Sequence, residues 1–104
     1  MVAAAGAAEL TRDEYVARVE PICKRNTEAN RRIFAGAKEE VKAGKLKLAS
    51  THFAKAEKAL EKTIRQLKAV PRPAADEAKL GKWLRYLETE ASYLGRIGKA
   101  LAKG

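Results

Sequence analysis

The apolar side chains between residues 46 and 67 recur at intervals of three and four, and this spacing constrains the fold more than any other feature of the sequence. On a helix at 100° per residue they fall within an arc of about 80°. So narrow a stripe is typical of a helix that packs along a neighbouring helix. Pro71 and Pro73 end the segment, because residues before proline leave the α region. We therefore predict a helix over about residues 47–69 with the apolar positions Leu46, Ala49, Phe53, Ala56, Leu60, Ile64 and Leu67.

The preceding stretch predicts one long helix over about residues 12–43. Thr11 and Glu14 have the spacing of a capping box, in which each side chain bonds the other residue's amide. Pro21 lies inside the apolar pattern, so we expect a kink or a restarted helix near residues 17–21. Gly44 is a candidate to close the helix. The apolar face comprises Tyr15, Val19, Ile22, Ala29, Ile33 and Ala37.

A third helix is predicted over about residues 75–102. Its main stripe comprises Leu80, Trp83, Leu84, Leu87, Ala91, Leu94 and Leu101. Tyr86, Tyr93 and Ile97 widen the apolar arc to about half of the circumference, which predicts more than one packing neighbour. Gly95 and Gly98 lie near the stripe at a cost of about 1 kcal/mol each, which a closely approaching helix would justify.

These elements predict an all-α fold: an antiparallel up-down-up three-helix bundle in which residues 11–104 form one domain. The wide apolar arc of the third helix leaves two completions open. Either the chain is a fragment of a four-helix bundle, or a second copy completes it by dimerisation. Residues 1–10 are expected to be disordered or a signal-peptide remnant, because Gly6, Ala7 and Ala8 before Glu9 look like a cleavage site. No apolar run is long enough to span a membrane.

Positive charge is concentrated in the middle of the chain. The net charge is +9, and residues 45–73 alone hold eight bases against two acids. Basic residues three and four apart on one face of the second helix are suited to binding a polyanion. No aromatic residue interleaves them, so a nucleic-acid contact would be independent of base sequence. The simpler interpretation is that they solubilise the helix. The candidate polyanion- or partner-binding residues are Lys55, Lys58, Lys62 and Arg65.

Catalytic and metal chemistry find little support in the sequence. Cys23 and His52 are the single cysteine and histidine, which supply only two of the three or four ligands that a zinc site needs. A Cys–His nucleophile pair would require a lowered thiol pKa. No nucleotide-binding or hydrolase motif occurs. We therefore expect no enzyme activity and no cofactor or metal.

Three polar residues lie within the predicted apolar faces and form a candidate buried cluster: Asn26, Asn30 and Glu90. Buried amides and carboxylates need hydrogen-bond partners, so such a cluster would form a polar pocket inside the bundle. The simpler interpretation is that the two asparagines set the register of the helices and that Glu90 pairs with an arginine or tyrosine across the bundle.

Several short motifs carry a resemblance to a known class of proteins. They are Leu10-Thr11-x-x-Glu14-Tyr15, Ile22-Cys23, Phe53, Leu60-x-x-x-Ile64-x-x-Leu67, Pro71-x-Pro73-x-x-Asp76 and Trp83-Leu84. This pattern is similar to small helical domains of unknown function in predicted secreted or lipoprotein-like proteins of actinobacteria. The resemblance implies a secreted or cell-envelope location. In such proteins a further helix carries a second cysteine, so it also implies a disulfide between Cys23 and a residue outside this chain.

Two functional hypotheses follow from the residues and the resemblance. The first is an exported, non-enzymatic binding or structural module whose partner is a protein or an anionic polymer of the cell envelope. The alternative is a cytoplasmic or nucleoid-associated protein that binds nucleic acid without sequence specificity through the basic face of the second helix.

Overall fold

The computed structural model describes residues 9–104, and within that range the chain is all-helical with no β-strand. Helix α1 spans Arg12–Ile33, α2 spans Ala37–Lys42, α3 spans Leu46–Lys68 and α4 spans Glu77–Lys103, with a 3₁₀ turn at Ala74–Asp76 before α4. The predicted second and third helices agree with α3 and α4 to within two residues. The predicted signal-peptide remnant lies mostly outside the described residues, but Leu10 is buried and belongs to the packed part.

The prediction of a single helix over residues 12–43 is wrong, because the chain breaks between α1 and α2. Helix α1 continues through Pro21, where both Pro21 and Ala17 are exposed, so water can bond the carbonyl that the proline leaves without a partner. The break comes later, at Gly36, whose φ of +82° is left-handed and ends the helical path. The restart expected near residues 17–21 therefore occurs instead at Ala37.

Two side chains of α3, Phe53 and His52, contact the chain at this break. The ring of Phe34, just after α1, packs edge-to-face on Phe53 with centroids 5.0 Å apart. The Nδ1 atom of His52 contacts the carbonyl oxygen of Ile33, the last residue of α1. The Nε2 atom of the same ring lies 2.7 Å from Oε1 of Glu40 on α2. His52 therefore supplies a partner to a helix end that would otherwise leave its carbonyl groups unsatisfied.

The ends of α1 and α2 follow the predicted capping chemistry. The Glu14 amide donates to Thr11 Oγ1 at 3.1 Å, and the Thr11 amide donates to Glu14 Oε1 at 2.8 Å, which confirms the capping box. These bonds lower the pKa of Glu14. Arg12 donates to both carboxylate oxygens of Asp76, at 3.0 and 2.7 Å, and ties the start of α1 to the turn before α4. Gly44, with a φ of +77°, follows α2 as predicted.

The core forms where α3 packs against both α1 and α4. One buried cluster joins Tyr15, Val19 and Ile22 of α1 to Leu67 of α3 and Leu84 of α4. A second joins Leu60 and Ile64 of α3 to Ala91 of α4. Burying one such leucine or isoleucine fully contributes about 1.5–3 kcal/mol. The predicted stripe of α3 is therefore its packing face, since Ala49, Ala56, Leu60, Ile64 and Leu67 are all buried.

Small residues let α3 and α4 approach closely along their length. A Cβ at Gly98 would lie 3.3 Å from both the Phe53 Cβ and the Ser50 carbonyl oxygen. At Gly95 it would overlap the carboxylate of Glu57. Both glycines are buried, so the prediction that a close neighbour accounts for them is confirmed.

Part of the predicted apolar arc of α4 is not covered by another helix within residues 9–104. Tyr86, Tyr93 and Ile97 are 62%, 54% and 42% exposed. The prediction that this wide arc contacts more than one neighbour along its length is therefore wrong for these three residues. Helix α1 packs chiefly on α3 and meets α4 near the start of α4, so the rest of the arc faces solvent.

The close approach of α3 and α4 predicts opposite effects at two glycines of α4. Gly81→Ala should stabilise the protein by about 0.5–1 kcal/mol, because alanine favours helix and its Cβ fits 3.6 Å from the Arg85 side chain. Gly98→Leu should destabilise it by about 1–3 kcal/mol or more, because the side chain meets Phe53 and the backbone of α3. Urea unfolding followed by circular dichroism measures both. A Gly98→Leu variant as stable as the parent protein would contradict the close packing.

Candidate polyanion-binding cleft

The four predicted basic residues of α3 are all exposed, on the side of the helix away from its buried stripe. Lys55, Lys58, Lys62 and Arg65 form no ion pair among residues 9–104. Their exposure follows from the period of the helix, since the core positions of α3 are taken by Leu60, Ile64 and Leu67. Of the four, Lys62 lines a cleft between α3 and α1, and Arg65 lines a groove between α3 and α4.

Lys62 borders a cleft between α1 and α3 with a volume of about 450 Å³. Arg25 and Arg32 of α1 are on the same cleft, so two helices bring three cations to one concave surface. We call this surface the cationic cleft. It is lined by Arg25, Asn26, Glu28, Ala29, Arg32, Ala59, Lys62, Thr63 and Gln66.

Small and polar residues form the floor of the cationic cleft. Ala29 and Ala59 are both half-buried and leave room between the helices. Thr63 is buried, and its hydroxyl donates to Asn26 Oδ1 at 3.1 Å. The side-chain amides of Asn26 and Gln66 are both among the lining residues, and each amide carries N–H donors. The floor therefore adds hydrogen-bond donors to the positive charge of the rim.

The charge of the cationic cleft is only partly offset by its neighbours. Glu28 is the one acid among its lining residues. None of Arg25, Arg32 and Lys62 has a carboxylate within 4.0 Å in the described part of the chain. Three cations whose charge is not matched by ion pairs create a positive field that attracts anions.

Arg65 faces a different groove, between α3 and α4. Glu57, Glu61 and Glu88 line that groove together with Arg65 and Lys68. Lys68 donates to Glu88 at 2.6 Å, so one of its two cations is already paired. With three carboxylates beside it, Arg65 is less suited to an anionic partner than Lys62 is. Lys55 and Lys58 continue the exposed face along α3 from Lys62.

The predicted buried cluster of Asn26, Asn30 and Glu90 is wrong as a unit. Asn26 bonds Thr63, and Asn30 Oδ1 is buried without a partner in the described residues. Glu90 is exposed on α4, because the part of the arc that contains it is not covered by α1. The asparagines therefore belong to the α1–α3 contact and Glu90 to the outer surface of α4.

Cys23 is a half-buried thiol on α1 that packs against the first core cluster. Burial raises its pKa, because the apolar surroundings disfavour the thiolate. Its conceivable base, His52, instead contacts Ile33 and Glu40 with its two ring nitrogens. The arrangement is that of a packing residue and lacks the lowered thiol pKa that nucleophilic cysteines have.

The sequence-based list of candidate residues did not include Arg25, Arg32 or Gln66. A signal for two of them was present, since Arg18, Arg25 and Arg32 recur every seven residues along α1. Seven residues bring a side chain back to nearly the same face of a helix. The spacing alone does not determine which side of α1 packs beside α3.

The described part of the chain holds no cluster of three or more His, Cys, Asp or Glu side chains placed to bind a metal ion. Among its helices, none has the length together with the apolarity needed to cross a bilayer. The sequence matches no protein-family model, no curated protein and no solved structure. The resemblance to actinobacterial helical domains therefore stays a prediction.

The environment of Cys23 predicts that its thiol reacts slowly with alkylating reagents. With the pKa raised by burial, less thiolate is present at a given pH, so alkylation by iodoacetamide should be slower in the folded protein than in the chain unfolded by urea. The alkylation rate of Cys23 should also begin to increase at a higher pH in the folded protein than in the unfolded control. A folded protein that reacts faster, with its inflection at a lower pH, would contradict this description and indicate an activated thiol.

Proposed function

We propose that this protein is a non-enzymatic binding module that holds an anionic polymer in the cationic cleft. The observation that carries the proposal is the convergence of Arg25, Arg32 and Lys62 from two helices without ion-pair partners in residues 9–104. A cleft of about 450 Å³ with an open rim suits a chain of charged groups that passes through it. The exposed Lys55 and Lys58 lengthen the contact along α3.

The chemistry of the cleft favours recognition of charged groups over recognition of bases. No aromatic side chain is among its lining residues, so it offers no platform on which a nucleobase could stack. Guanidinium groups bind phosphate and carboxylate oxygens in bidentate fashion, and two arginines are present. We therefore propose an anionic polymer of the cell envelope as the partner. The envelope location depends on the resemblance alone.

We also propose the up-down-up arrangement of the three long helices as the scaffold of this module. It is supported by the order of the contacts between α3 and α4. Phe53, early in α3, lies against Gly98, late in α4, whereas Leu67 at the end of α3 shares a cluster with Leu84. Contacts that run in opposite order along two helices are those of antiparallel neighbours.

The proposal predicts salt-sensitive binding that depends on the cationic cleft. Long-chain polyphosphate should bind, and its association constant should fall steeply between about 50 mM and about 200 mM salt as counterions are released. Replacing Arg25, Arg32 and Lys62 together by Gln should weaken binding by at least about tenfold and lower the salt slope by about one for each cation that is removed. Isothermal titration calorimetry at several salt concentrations measures both quantities.

A matched control separates the cleft from net charge. Lys38, Lys99 and Lys103 are exposed and lie away from the cleft, and replacing all three by Gln removes the same charge. This control variant should bind polyphosphate within about twofold of the parent protein, because it keeps every side chain that lines the cleft. Equal weakening in the two variants, or no binding by the parent at the lower salt concentration, would refute the proposal. Tighter binding to duplex DNA than to polyphosphate would favour the nucleic-acid alternative.

A further inference from the structure

The second surface that can take a partner is the outer face of α4. Tyr86, Glu90, Tyr93 and Ile97 follow one another at intervals of four, three and four, so they form one stripe along the helix. All four are exposed, and the three apolar ones are more than 40% exposed. Exposed apolar patches rimmed by polar residues mark interaction sites.

The stripe continues at one end into an apolar pocket between α1 and α4. The pocket has a volume of about 400 Å³, and Trp83 in its wall lies one turn before Tyr86. From Trp83 to Ile97 the apolar surface extends about 20 Å along the helix axis, close to four turns. This length and straightness suit a helix as occupant better than a compact small molecule. The pocket is lined by Arg12, Tyr15, Val16, Val19, Asp76, Lys79, Leu80 and Trp83.

The positive charges beside the stripe favour a binding partner with acidic side chains. Lys82 Nζ lies 5.9 Å from the ring centre of Tyr86, and the Arg96 guanidinium carbon lies 5.2 Å from that of Tyr93. Lys79 is on the rim of the pocket. Glu90, one turn from both tyrosines, is the single acid of the stripe. A bound helix would therefore meet cations along one flank and at the pocket end, and one carboxylate in the middle of its apolar face.

A second copy of this chain fits these charges poorly. In an antiparallel pairing that places Tyr86 against Tyr93 of the copy, Lys82 comes close to Arg96 of the copy, and the two Glu90 carboxylates approach each other. Like charges opposed across an interface cost affinity. Each copy also carries a net charge of +9, which opposes self-association further.

We infer that the outer face of α4 docks an amphipathic helix of a partner protein. The apolar side of that helix covers Tyr86, Tyr93, Ile97 and the pocket beside Trp83. One flank of that helix carries Asp or Glu opposite Lys82 and Arg96, the end near the pocket carries another opposite Lys79, and one Lys or Arg within its apolar side pairs with Glu90. The site shares no lining residue with the cationic cleft, so it does not depend on the proposed function.

Synthetic helical peptides of about 18 residues test this inference. The first peptide has leucines on one face, glutamates on both flanks and one central lysine within the leucine face. The second has lysines in place of the glutamates, and the third has leucine in place of the central lysine. Trp83 is the single tryptophan and lines the pocket, so its fluorescence reports docking directly. The first peptide should shift Trp83 emission to shorter wavelength and bind at least about tenfold more tightly than the second.

Matched variants assign the binding to this face. Replacing Tyr86 and Ile97 together by Ser should weaken binding of the first peptide by at least about tenfold, because serine removes apolar surface near both ends of the stripe. Replacing Val41 and Leu48 by Ser is the control, since both are similarly exposed but lie on α2 and α3. It should leave the affinity within about twofold. Glu90→Leu should reverse the preference between the first and third peptides, and circular dichroism verifies that each variant folds.

The remaining outcomes overturn the inference. Absence of binding by the first peptide up to about 1 mM excludes a docked acidic helix. Equal binding of the acidic and basic peptides, or equal weakening in the two double-serine variants, excludes selection by this face. Sedimentation of the parent protein as a dimer that the Tyr86 and Ile97 replacements convert to a monomer assigns the face to a second copy instead.

Discussion

The close approach of α3 and α4 is the constraint on which the other features depend. Gly98 brings α4 close enough for Phe53 and the Ser50 carbonyl oxygen to approach its backbone, and Gly95 leaves room for the Glu57 carboxylate. Alanines at positions 49, 56 and 91 are buried beside this contact. Because the chain has few large apolar side chains with which to fill a wide gap, helices that nearly touch are its means of excluding water. The approach then fixes which flank of each helix is left outside.

The two candidate surfaces follow from how α3 shares its buried face. Helix α1 occupies one side of the α3 stripe and α4 the other, so the cations of α3 can only point outward. On the α1 side Lys62 meets Arg25 and Arg32, whereas on the α4 side Arg65 meets Glu57, Glu61 and Glu88. Because α1 meets α4 only near the start of α4, Tyr86, Tyr93 and Ile97 are left exposed. One asymmetric arrangement of three helices thus leaves a polar surface on one side and an apolar surface on the other.

The sequence was sufficient for the helices whose apolar period is unambiguous and insufficient where a tertiary contact decides. The stripe of α3 and the role of Gly95 and Gly98 were predictable, because period and residue size depend on the chain alone. The break at Gly36 was missed, since Ile33 and Ala37 keep the helical spacing across it and the contacts of Phe34 and His52 come from α3. Glu90 was assigned to the interior because the width of an apolar arc does not reveal how much of it a neighbour covers. Arg25 and Arg32 were overlooked for a related reason, as the flank that faces α3 is set by packing.

Helix α3 is the helix against which both α1 and α4 are packed. Native-state hydrogen exchange measured residue by residue by NMR tests this arrangement, because amides that open only on global unfolding mark the last structure to unfold. Amides between Ala56 and Leu67 should exchange most slowly and share one opening free energy equal to that of global unfolding. Helix α2 should open at much lower cost. Slower exchange in α1 than in α3, or early opening of α3 alone, would contradict this arrangement.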